Sequence, residues 1–255
     1  MQITNDFQLI TKDEAQQQNR PMEWLKAGTL LALSAYFGYS ILSGNLTNYI
    51  NIRFAWLSYL AVVIFAALGA ASVYALLRNE GRARDDSHTP VSWSMIGLMA
   101  LPLLMGTLIP SQPLGAEAVD GRIGTRVASV NTAAAVTKDP LQRNVLEWLR
   151  VFNDGSAPAA FDGQEADVIG FVYREPGFAV DQFMIARFTV ACCVADASAI
   201  GLPVQWDGAA DIADGEWVQV RGAFEAGSFR DQTMPILRAQ SVQVVEQPEH
   251  PYVYP

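Results

Sequence analysis

The chain has 255 residues, 51% of them hydrophobic, and a formal net charge of -9, so it is at once apolar and acidic. Residues 1–110 carry seven basic and seven acidic side chains, which leaves the whole net charge to residues 111–255. That acidic half excludes nucleic acid as a partner and argues against docking on anionic headgroups, because both call for a basic surface.

Residues 1–26 are polar and lack the apolar stretch of a secretory signal; they are expected as a cytoplasmic tail. Three uncharged runs follow within residues 27–110. The first, 27–44, has Trp24 and Lys26 at its edge, as a membrane interface would. The second, 54–77, is 24 residues without a charge, long enough to cross a hydrocarbon core of about 30 Å. The third, 91–110, contains Pro102, which a membrane helix tolerates with a kink. Three transmembrane helices are therefore predicted. Lys12, Arg20 and Lys26 precede the first and Arg78, Arg82 and Arg84 follow the second, with Arg53 alone between them. This distribution predicts a cytoplasmic start, and three crossings then carry everything after Pro110 to the far side. No Asp, Glu, Lys, Arg or His interrupts the runs, so nothing marks an ion or proton path. Small residues at 66–75 suit close approach by another helix.

Residues 111–139 have no periodicity and read as an extended linker. Residues 140–153 read as an amphipathic helix: Asp139 caps it, Pro140 suits its first turn, and Leu141, Val145, Leu149 and Phe152 make one apolar stripe. Between residues 165 and 247 five runs rich in Val, Ile, Phe and Trp alternate with Gly, Pro and Asp turns. The expected fold class is an α+β membrane protein, three helices followed by an OB-like five-stranded β-barrel outside the cytoplasm. Trp217, Gln219 and Arg221 share one strand face, yet the acidic surroundings oppose an oligonucleotide there. Residues 248–255 are left as a tail.

Both cysteines lie in RFTVACCVADASAIGLPV. If the strand runs through them, alternation groups Cys192 with Val190, Phe188, Ala186 and Met184 and buries it, leaving Cys193 on a mixed face. That geometry opposes one metal on both thiolates unless the strand ends at the pair and turns, in which case Asp196 returns toward the sulfurs. His88 falls on the cytoplasmic side, so His250 is the imidazole able to join them. Cys192, Cys193, Asp196 and His250 are the candidate ligands, for zinc or copper, against a packing role and a vicinal disulfide. No histidine accompanies the cysteines as a base, and the hydrolase, phosphate-loop and metalloprotease motifs are absent. Asp211 and Asp214 sit in a stretch suited to tight bends. A non-catalytic protein is expected.

The segments SGNLTNYINIRFAWLS, LLMGTLIPSQPLG, RFTVACCVADASAIGLPV, GEWVQVRGAF and the closing PYVY, in that order, resemble the YcgQ-like family, the smaller subunits of a two-component permease. Matching positions include Cys192, Cys193, Ala195, Asp196, Gly201, Leu202 and Pro203, whereas residues 1–20 extend beyond the usual pattern. The resemblance implies an accessory protein in the cytoplasmic membrane of a bacterium, beside a larger multi-span membrane subunit, its β domain docking on that partner or presenting a ligand. Two other readings stand beside it: a metal or thiol sensor built on the cysteine pair, and a structural subunit of another large membrane assembly.

Overall fold

Hydrophobic runs and strand alternation sort into two units in a computed structural model, the first Met1–Leu46 with Ile52–Gln112, the second Thr47–Asn51 with Pro113–Pro255. The structure describes residues 2–78, 92–121, 123–127 and 137–255, with side chains from residue 21 onward. His88, Arg82 and Arg84 lie outside the described residues.

The first unit contains α1 (Gln2–Leu42), α2 (Ala55–Arg78) and α3 (Trp93–Leu108). The polar start is continuous with the first apolar run in one helix, with Pro21 inside it. Two stretches are long and apolar enough to cross a membrane, Pro21–Leu42 and Ile52–Arg78. The third run forms a helix of 16 residues, capped by Ser92 and carrying Pro102 within it. At helical rise it spans about 24 Å, short of the roughly 20 residues usual for a bilayer core. Ser34 Oγ on α1 donates to Val62 O on α2 at 3.0 Å, and the Phe37 and Phe65 rings stack with centroids 6.0 Å apart. Gly69 is buried against Leu31, where an added Cβ would stand 2.7 Å from Leu31 Cδ2. The small residues of α2 thus serve a neighbour from the same chain, by letting the two helix backbones approach. Trp56, Leu60, Val63 and Leu68 remain outward-facing and exposed.

The second unit takes in part of the chain expected as an extended linker, from Pro113 onward. Ile123 is 1% exposed and belongs to its core, Gly124 bridges Ile200 in parallel, and the Leu114 amide donates to Tyr252 Oη at 2.9 Å. The predicted helix at 140–153 is two elements. Asp139 caps a single 3-10 turn, Pro140–Gln142, and α4 (Val145–Phe152) begins afresh. Its start is set by a capping box in which Asn144 Oδ1 accepts from the Glu147 amide at 3.0 Å and Glu147 Oε2 from the Asn144 amide at 2.8 Å. Leu141 is consequently half exposed, outside the stripe, and Trp148 is the fully buried anchor.

Six strands follow: β1 (Glu165–Tyr173), β2 (Gln182–Thr189), β3 (Ser198–Gln205), β4 (Trp217–Phe229), β5 (Gln232–Val244) and β6 (Tyr252–Val253). Their order is β1-β4-β5-β3-β2-β6, and β1 also pairs with β2, so the first five return on themselves. The sheet has a sixth strand because Tyr252 and Val253, from the expected tail, pair in parallel with Phe188 and Thr189 and bury both side chains. β4 carries a bulge between Arg221 and Gly222, where Gly222 lies against the Arg238 carbonyl with no room for a side chain. Val145, Trp148 and Leu149 of α4 share one core with Val168, Phe183, Leu202, Phe224 and Leu237.

Candidate metal centre

β2 stops at Thr189, three residues before the cysteines, and the reason is a side chain. The Asp196 carboxylate takes three backbone amides that a continuing strand would offer to its neighbours: Oδ1 accepts from Ala191 at 2.8 Å, and Oδ2 from Cys192 at 2.7 Å and Cys193 at 3.4 Å. A 3-10 turn, Val194–Asp196, then leads back into β3, with the Cys193 carbonyl accepting from the Asp196 amide at 3.0 Å. Without a strand there is no alternation of faces. The expected burial of Cys192 is therefore corrected: Cys192 is exposed and Cys193 is half-buried.

The two Sγ atoms stand 3.8 Å apart and both thiols are free. The sulfurs of Cys192 and Cys193 and a carboxylate oxygen of Asp196 all lie within 4.8 Å of one another. His250, the fourth candidate, is not in this group. Parallel pairing of β6 with β2, Tyr252 opposite Phe188, holds His250 back toward the start of β2, where its carbonyl accepts from Arg187 Nη2 at 2.7 Å. The hydrogen bond to the Asp196 carboxylate, followed by one donated to Cys193 Sγ, pushes the Cys192 thiol up to about 11. The same thiol, followed by the backbone amides, draws Asp196 below the ordinary carboxylate range.

A second layer fixes the cysteine backbone. Asn51, 1% exposed, donates from Nδ2 to Val190 O at 3.2 Å and Ala191 O at 2.9 Å, and from its amide to Cys192 O at 3.0 Å. The Val194 amide donates to Tyr49 O at 2.9 Å, and Ile50 bridges Cys193 in antiparallel fashion. Tyr252 Oη donates to Asn48 O at 3.0 Å while accepting from Leu114, and burial raises its hydroxyl above the ordinary tyrosine range. Residues 48–51 therefore back the cysteine turn. Sequence reasoning missed Asn51 and Tyr252, although both sit in segments quoted for the resemblance; a polar amide inside NYINIR was the available signal.

Elsewhere the candidate groups are engaged structurally. Arg187 is buried, donating to Pro251 O at 2.9 Å, Ile169 O at 3.2 Å and His250 O, with its guanidinium 5.1 Å from the Trp217 ring centre. Desolvation lowers it to about 10, so it keeps its charge at neutral pH. On the face of Gln219 and Arg221, Asp167 accepts from both side chains, at 2.7 and 2.8 Å. Asp214 pairs with Arg174, which also donates to the Ala209 and Ile212 carbonyls and so pins the bend.

Residues 25–124 match the DUF1980 N-terminal domain and residues 135–255 the DUF1980 C-terminal domain. UPF0703 protein YcgQ of Bacillus subtilis is 21% identical over 276 residues, covering 88% of this chain and 97% of its own length. A Streptococcus mutans protein, named as a subunit of a two-component membrane permease complex, is 24% identical over 266 residues, with 88% and 97% covered. With both of its domains matched in order across nearly the whole sequence, this chain belongs to the DUF1980 family.

Proposed function

We propose that the protein is a non-catalytic accessory subunit of a permease-like complex in a bacterial cytoplasmic membrane. In this reading α1, α2 and α3 cross the bilayer from a cytoplasmic start, and an OB-like domain on the outer face docks on a larger multi-span subunit. The observation that carries the topology is the building of residues Thr47–Asn51 into the same unit as Pro113–Pro255. With α1 and α2 each crossing, the connection between them emerges on the face opposite Lys26 and Arg78. The domain that incorporates this connection belongs on that face too, and the chain returns there after α2 only if α3 also crosses. Exposed apolar side chains along α2 and α3, Leu98 and Leu108 among them, agree with lipid or a partner helix as their surroundings.

For the domain, consecutive antiparallel pairing of β1 with β2 and β2 with β3, parallel pairing of β3 with β5, and closure through β4 onto β1 support an OB-like barrel with α4 over its core. Fold alone does not assign a role; the accessory role draws its support from the Streptococcus mutans relative. The test joins two measurements. Protease added to intact spheroplasts should remove a tag placed after Pro255, and mild-detergent purification should recover a multi-span membrane protein in fixed ratio. A tag cut only after lysis defeats the topology. Recovery of the chain without such a partner defeats the accessory role, and a fixed place in a different assembly favours the structural-subunit reading.

A further inference from the structure

We infer that Cys192, Cys193 and Asp196 form an exchangeable binding site for a thiophilic divalent cation, zinc above all. The inference rests on the accessory-subunit reading only for what the site would exchange with.

The spacing of the sulfurs is the first argument. Two thiolates bound tetrahedrally at about 2.3 Å from zinc stand roughly 3.8 Å apart, whereas a linear pair at that bond length needs roughly 4.6 Å. The observed separation of 3.8 Å is the tetrahedral one. The second argument is that the arrangement is held before any ion arrives. Adjacent thiols on a free loop would sample many separations, but here Asn51 fixes the carbonyls of residues 190–192, Ile50 pairs with Cys193, and the Asp196 carboxylate ties the amides of residues 191–193.

Asp196 supplies the third donor. An ionised carboxylate offers about four lone-pair positions; Oδ2 accepts two amides, and Oδ1 accepts only that of Ala191. The cation takes the place beside the carboxylate that the Cys192 S–H proton holds in its absence. Binding is balanced as two thiols and a carboxylate plus a divalent cation giving a dithiolate–carboxylate complex of net charge one minus, with two protons released to solvent.

Three protein donors, two of them on exposed residues, leave a fourth position open. Structural zinc sites close with four protein ligands; here the fourth position is left to water or to an incoming ligand through which the ion can exchange. The surplus of carboxylates in residues 111–255 raises the local concentration of cations around it. The Cys193 backbone that would feel the ion is paired with Ile50, in the connection between α1 and α2, so occupancy is communicated to that connection.

The full chain in detergent, freed of metal, is titrated with Zn2+ against a chromophoric chelator, and separately with Co2+ to read thiolate-to-metal charge transfer. One ion per chain is expected, with two-thiolate intensity from cobalt. Cys192→Ser and Cys193→Ser should each weaken zinc at least ~100-fold and halve the charge-transfer band, and Asp196→Asn should weaken it roughly tenfold. Amide exchange of the metal-free serine variants, equal to that of the parent, excludes misfolding as the cause. Absence of stoichiometric zinc binding, or binding that both serine variants retain, overturns the site. Loss of the site while a multi-span partner still copurifies leaves the accessory reading standing; zinc bound as described by a chain that purifies without a partner supports the site and overturns that reading instead.

Discussion

Replacing Asn51 by alanine removes a side chain that joins the α1–α2 connection to the end of β2. Its Nδ2 serves two carbonyls, of which Val190 O belongs to a fully buried residue and Ala191 O to an exposed one. A buried acceptor left without a donor costs about 1–3 kcal/mol, and loss of an ordinary hydrogen bond to a group that water can reach costs about 1 kcal/mol. The sum, roughly 2–4 kcal/mol, corresponds to local opening enhanced by about 30-fold to several hundred-fold. Hydrogen exchange followed by mass spectrometry on the full chain in detergent reads this directly. Peptides covering residues 47–51 and 190–196, which include the Asn51 and Val194 amides, should exchange faster by that factor, while the peptide of α4 keeps its rate. Asn51→Asp should do at least as much, since it turns an acceptor toward two acceptors. An unchanged rate at Val194 in both variants would refute the claim that residues 48–51 are held on the cysteine turn by this amide.

Trp148 is fully buried with its ring centroid 4.7 Å from that of Phe224, so Trp148→Ala should lower the stability of the second unit by about 3–5 kcal/mol in chemical denaturation; a loss under about 1 kcal/mol would mean that α4 is not an anchor of that core. Because the Asp196 carboxylate raises the Cys192 thiol to about 11, the protonated form is favoured below that pH; at pH 8 the thiolate fraction is about 100-fold lower than for a thiol titrating at 9.0, and with the greater intrinsic nucleophilicity of the more basic thiolate alkylation should run roughly tenfold slower. Site-resolved alkylation rates across pH measure this: the parent midpoint belongs near 11, Asp196→Asn should move it down, and a parent midpoint near 9 contradicts the thiol–carboxylate hydrogen bond.

The strands were legible because alternation is a local pattern. Each of the five expected runs contains or overlaps one of β1–β5, and burial along the first part of β4 alternates as read. The start of α4 was legible in principle, since Asn144 and Glu147 have capping-box spacing, but the stripe drew Leu141 into a helix that Asn144 begins later. β6 escaped notice because two residues make no periodic signal; their pairing depends on the free edge of β2. The cysteines were misplaced for a related reason. Alternation was carried past Thr189, where β2 ends, through Cys193, although from Val190 onward Asn51, some 140 positions away, and Asp196 take over the backbone groups of the strand.

Apolar length, the division of charge between the halves and the strand pattern are properties of short windows, and the amino-acid order determined them unaided. Which thiol faces solvent, which connection backs the turn, and how five strands return on themselves were decided only in three dimensions. Each depends on where a backbone amide or carbonyl finds its partner, and for the groups around Cys192 and Cys193 those partners include residues from the connection before α2.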